Sequence, residues 1–150
     1  MKMKIRTLLA LVCVVLTIWP SVAMATTASL DGYTATGTSF ITKSGGRIVG
    51  SGTTNYPLTT NSVCYVYTTM KYTEYTYYWI YDEYGNATQG LLDIRTITKT
   101  ASASKNGGTI TAYCYSGYDA LLLTNMPDQQ STKHVVTHSG HSVTFYSSDT

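Results

Sequence analysis

The chain is expected to fold as an all-β protein, an antiparallel β-sandwich with one inter-sheet disulfide. Three observations lead there. After position 25 the apolar residues recur at every second position rather than every third or fourth; Thr, Ser, Gly and Tyr dominate; and Cys64 and Cys114 fall on the apolar sides of two separate strand-like segments.

Residues 1–25 read as a secretory signal. Lys2, Lys4 and Arg6 make a charged start, Leu8 to Trp19 an apolar run, and Ala23-Met24-Ala25 an A-x-A cleavage site. At about a dozen residues the run is too short to span a bilayer, which takes about 20. Cys13 lies inside it, without the small preceding residue a lipidation signal would show. The expected product is a secreted single domain, 26–150, with no membrane span. Three of the 10 basic residues lie in the signal, so the remainder is slightly outnumbered by the 8 acidic ones. Those left, from Lys43 to Lys133, are scattered singly, and nucleic-acid binding, which needs a basic patch, is not expected.

In order along the domain, Thr34 to Thr42 reads as a strand, Lys43-Ser44-Gly45-Gly46 as a turn and Arg47 to Gly52 as the returning strand. Thr53 to Asn61, with Pro57, reads as a connection. Ser62 to Tyr81 is the longest run of strand-forming residues in the chain, rich in Val, Tyr, Thr and Trp. Its alternation blurs between Tyr72 and Thr76, where a bend is expected; beyond it Tyr75, Tyr77, Trp79 and Tyr81 share a face. Asp82 to Asn86 is a turn, Leu91 to Thr100 a strand, Ala101 to Gly108 a loop and Thr109 to Ser116 a strand. Tyr118 to Thr124 contains a short apolar run, and Met126 to Lys133 reads as a polar loop. His134 to His138, Ser139-Gly140 and His141 to Ser147 form a hairpin whose register sets His138 against His141, Val136 against Val143 and His134 against Phe145.

An even cysteine pair in a secreted chain points to a disulfide. With Cys64 and Cys114 on two apolar faces, the bridge would tie two sheets through the core. The Cys spacing with Trp79 nearby loosely resembles the immunoglobulin domain in architecture. Trp79, however, lies 15 positions after Cys64, and Ala112 stands where the tyrosine corner would be, so the likeness extends to architecture and not to the family.

The same parity puts Tyr65, Tyr67, Tyr113 and Tyr115 outside. The chain holds 14 Tyr and 2 Trp but only 2 Phe. Tyr packs with its ring and reaches water with its hydroxyl, so rows of Tyr and Thr suit a glycan or other cell-envelope component. The expected function is a secreted, non-enzymatic binding module using those four tyrosines. One alternative is a secreted toxin or bacteriocin-like antagonist; another is metal capture by the opposed His138 and His141, which lack an identified third ligand. No G-x-S-x-G, H-E-x-x-H or phosphate-loop motif is present, and no enzyme activity or cofactor is expected. Asn86-Ala87-Thr88 is a glycosylation sequon, and sheet edges poor in charge invite self-association.

Overall fold

A computed structural model describes residues 24–118 and 125–150 as eight strands in two antiparallel sheets. The strands are β1 (Met24–Leu30), β2 (Tyr33–Ser44), β3 (Arg47–Tyr56), β4 (Ser62–Tyr81), β5 (Ala87–Lys105), β6 (Gly108–Tyr115), β7 (Asn125–His138) and β8 (His141–Asp149). Their order is β1-β2-β3-β6 in one sheet and β5-β4-β7-β8 in the other. Buried and exposed residues alternate along β2, β3, the first half of β4, β7 and β8, the signature of sheets with one face in a core. Among the described residues no helix is long and apolar enough to cross a membrane. Most of the expected signal, and the apolar run Ala120 to Leu123, lie outside the described residues.

The sandwich is present, but several expected details are corrected. The first three strands form a meander, whereas the immunoglobulin order ABED over CFG sets the second strand beside the fifth. β4 runs unbroken through the expected bend. The irregularities fall on its partners, where Asp128 of β7 and Leu92 of β5 are the extra residues. Thr53 to Tyr56 belong to β3, and the expected loop Ala101 to Gly108 is mostly strand, because β5 stays paired with β4 as far as Lys105. The expected polar loop Met126 to Lys133 is the first half of β7. Gln130 and Thr132 are polar and fully buried there, so hydrophobicity could not mark them as strand.

The core has two apolar clusters. Leu30, Ala35, Tyr56, Cys64, Val136 and Phe145 fill one end; Ile41, Ile48, Met70, Tyr72 and Cys114 fill the other. Each cysteine belongs to a different cluster, and both are unbonded. Both point inward as expected, but their levels along the strands differ. The Cys64 thiol lies 3.4 Å from the carbonyl of Gly108, whereas the Cys114 thiol lies 3.7 Å from that of Thr68, four residues further along β4. That offset is about 13 Å at 3.3 Å per residue. A disulfide needs Cα atoms within about 7 Å, so the expected inter-sheet bridge does not form.

Between the clusters, bulky polar side chains of one sheet stand over glycines of the other. A Cβ at Gly37 would lie 2.5 Å from the His134 ring, while Gly52 faces Thr132 and Gly50 faces Gln130. Two predictions follow from this packing. Gly37→Ala should lose about 1–3 kcal/mol in urea unfolding, the usual range for overpacking, whereas Gly117→Ala, with nothing within 4 Å of the added carbon, should be close to neutral. The Cys64 and Cys114 thiols, whose pKa values burial raises, should react with a thiol reagent only on unfolding, and added reductant should leave the melting temperature unchanged.

Candidate functional site

The most site-like surface is the outer face of the β5-β4-β7-β8 sheet. Alternation along β4 turns Tyr65, Tyr67, Thr69 and Lys71 outward, and β7 presents Ser131 and Lys133 beside them. In register, Tyr67 pairs with Lys133 and Lys133 with Tyr146 of β8, so a lysine position is flanked by two tyrosine positions across three strands. Tyr67 is 39% exposed and Tyr146 64%. A shallow hollow of about 220 Å³ lies here, lined by Tyr67, Thr69, Ser131, Thr132, Lys133 and Tyr146. The surrounding positions Ser102, Thr100 and Ser104, opposite Tyr67, Thr69 and Tyr65 on β5, add hydroxyls. Flat rings, hydroxyls and the lysines Lys71 and Lys133 on a paired sheet can stack on and hydrogen-bond a polar, ring-shaped ligand.

The four tyrosines expected to share a surface are divided between the two sheets. Tyr65 and Tyr67 are on β4, Tyr113 and Tyr115 on β6, and these strands face outward on opposite sides of the sandwich. Tyr113 and Tyr115 stack with centroids 6.2 Å apart, and the Arg47 guanidinium lies 5.6 Å from the Tyr115 ring. Around them the face is rich in threonine: Thr53 and Thr111 exchange a 2.9 Å hydroxyl bond, and Thr109 donates to Asn55. Sequence reasoning missed Lys133 and Tyr146. Extending the His138/His141 register would have placed them opposite one another, had Lys133 been read as strand.

His138 and His141 do face each other across the Ser139-Gly140 turn, with a partner the sequence did not suggest. Asp31 accepts from Nδ1 of His138 at 2.7 Å and from Nδ1 of His141 at 2.8 Å. Asp31-Gly32 and Ser139-Gly140 both have positive φ at their two central residues, as a type I′ turn requires. The carboxylate thus clasps the β1–β2 turn to the β7–β8 turn; the Asp-Gly dipeptide was the available signal. Hydrogen bonds, first from His138 and then from His141, hold the Asp31 carboxyl below its usual pKa. Among the described residues no group of three or more His, Cys, Asp and Glu is arranged to hold a metal ion.

His134 is fully buried in the sandwich. Its Nδ1 lies 2.8 Å from Thr54 Oγ1 and its Nε2 2.7 Å from Ser147 Oγ. From Ser147 the chain continues to Ser39 at 2.9 Å, Thr132 at 2.6 Å and Thr68 at 3.0 Å, where Gln130 also donates. A Ser–His pair suggests a nucleophile, but Thr54 occupies the place of an orienting carboxylate, and His134 and Ser147 are sealed from solvent. The arrangement holds two sheets together.

Burial pulls the His134 pKa from 6.5 down to about 4. The unfolded chain therefore takes up a proton at higher pH than the folded one, so stability is full above pH 6.5 and falls as pH drops toward 4. At about 1.4 kcal/mol per pH unit the loss is about 3 kcal/mol. Unfolding measured across that window should show this slope, and a folded His134→Gln variant should lack it. Asp31 acts in a lower window: its contribution is present above pH 3.8 and is lost as pH falls through its depressed pKa. No family model matches the chain and no curated protein is found similar to it, so the functional reading rests on the surfaces themselves.

Proposed function

We propose that the protein is a secreted binding module that captures glycan or another cell-envelope component on the outer face of the β5-β4-β7-β8 sheet. The observation that carries this reading is the in-register row Tyr67, Lys133 and Tyr146 around the hollow. Each ring stands on a strand of a paired sheet, so the backbone beneath the ligand is already in place, and preorganisation of this kind raises affinity. Neutral hydroxyls of Thr69 and Ser131 beside the rings suit sugar hydroxyls, and Lys133 adds preference for a ligand carrying a carboxylate or phosphate. Tyr113 and Tyr115, on the opposite side, form a separate surface and are not part of this site.

The test is retention of the purified protein on immobilised polysaccharides and cell-wall preparations, with unfolded protein as control. Tyr67→Ser and Tyr146→Ser should each cut retention by about tenfold, within the 1–3 kcal/mol usual for losing a ring stacked on a ligand. Lys133→Gln should act only on acidic polysaccharides. Tyr113→Ser should leave retention unchanged. Equal retention of all four variants and the parent would remove this face from consideration.

A further inference from the structure

We propose that the outer side of the whole β4–β5 ribbon is a track for a linear polysaccharide, which runs from the Tyr67–Lys133–Tyr146 row out along Tyr75, Tyr77, Trp79 and Tyr81. The inference rests on the binding face proposed above and extends it: the ligand is the interior of a long, unbranched sugar chain and not a chain end. Successive side chains of a strand point to opposite sides, and β4 is one strand from Ser62 to Tyr81 whose irregularities fall on its neighbours. The side that presents Tyr65 and Tyr67 on the sheet therefore presents Tyr75, Tyr77, Trp79 and Tyr81 beyond it. Tyr75 and Tyr77 stack accordingly, with centroids 6.5 Å apart and planes 20° from parallel, while Tyr78 points the other way and lies against Gly90.

The partner strand matches this side. In a regular ladder Leu91 and Ile94, three residues apart, would face opposite ways. The extra residue Leu92 resets the alternation, so Ile94 opposite Tyr75 and Leu91 opposite Tyr77 share the side of the rings. Trp79 is 58% exposed and Tyr81 67%. The reverse side is interrupted, by Thr76 with Asp93 and by Ile80 with Thr88. Nearer the sheet, each outward residue of β4 from Tyr65 to Thr73 is paired with a hydroxyl residue of β5: Ser104, Ser102, Thr100, Thr98 and Thr96 in turn.

These features select the ligand. A sugar ring has an apolar face that stacks on an aromatic ring and a rim of hydroxyls that hydrogen-bonds, and a row of rings continuing a row of hydroxyls serves both. Among the described residues of β4 and β5, the one outward charge from Tyr65 to Tyr81 and from Ala87 to Ser104 is Lys71. That is too little for a nucleic acid, which needs a basic stripe. The length calls for a polymer: Tyr67 to Tyr81 spans about 46 Å at 3.3 Å per residue, many times the width of one sugar ring. A two-stranded ribbon also twists strongly, so the track suits a single flexible chain and not the flat face of a crystal.

Native electrophoresis through gels containing hydroxyethyl cellulose, xylan, glycol chitin or polygalacturonate should show the parent protein slowed by at least one of these polymers. For that polymer Tyr77→Ser and Trp79→Ser should each lower affinity about tenfold, with an unchanged β-sheet circular dichroism spectrum. Ile80→Ser, on the reverse side, should bind as the parent does. The polymer should also bind the parent more tightly than short oligosaccharides cut from it, and equal affinity overturns the track. Binding lost in Tyr67→Ser but kept in Tyr77→Ser and Trp79→Ser leaves the binding face standing and overturns the track alone, and so does an Ile80→Ser variant as impaired as Trp79→Ser. A parent slowed by none of these polymers overturns the binding face and the track together. Flotation of the parent on phosphatidylcholine vesicles, abolished by Trp79→Ser, would assign the rings to lipid and likewise overturn the track.

Discussion

A line of hydrogen bonds running from Thr54 through His134, Ser147, Ser39 and Thr132 to Thr68 crosses repeatedly between the two sheets, and much of the packing is arranged around it. Each of these groups is buried, and a buried polar atom left without a partner costs about 1–3 kcal/mol. The network therefore admits one relative placement of the sheets, since a slip along the strands would orphan several members at once. The glycines obey the same constraint. Gly37, Gly50 and Gly52 supply no side chain because the imidazole, the amide and the threonine of the facing sheet already fill the space.

This polar middle layer also separates the two apolar clusters and so explains the cysteines. Cys64 packs below the layer and Cys114 above it, and the thiols serve as small hydrophobes in different cores. At the edges, short polar ties finish the assembly: Asp31 clasps two turns, and Asp149 accepts from the backbone N–H of Ile41 at 2.8 Å, fastening the end of β8 to β2. With the inner faces occupied by this work, function is left to what lies outside them. Among the described residues two outer surfaces stand out: the Tyr67–Lys133–Tyr146 row and the Thr-rich face beside Tyr113 and Tyr115.

Tyr67 of the row and the aromatic run Tyr75 to Tyr81 are parts of one strand. Burial alternates along β4 as far as Tyr72 and is lost beyond it, so the outward tyrosines Tyr65 and Tyr67 belong to a one-sided sheet whereas Tyr77 to Tyr81 are exposed at every position. Where β7 lies alongside, the strand is a rigid platform with polar neighbours. Beyond it, Tyr77, Tyr78, Trp79, Ile80 and Tyr81 of the same strand have exposed side chains.

Much of the strand content could be read from the sequence because β-strands with one buried face advertise themselves by alternation: β2, the first half of β4, β6 and the β7–β8 hairpin register are all legible in that way. The outward parity of Tyr65, Tyr67, Tyr113 and Tyr115 and the inward parity of both cysteines are properties of single strands, and single strands are what periodicity describes. What the fold alone decided are relations between strands distant in sequence. The level at which β6 crosses β4 kept the cysteines apart; the division of the strands between sheets put the tyrosine pairs on opposite sides; and a carboxylate from the first turn found two imidazoles in the last. The half of β7 that looked like a polar loop is the clearest case. Its Gln130 and Thr132 become core residues only because glycines and hydroxyls from the other sheet meet them, and no local pattern encodes a partner that lies some 80 or more positions away.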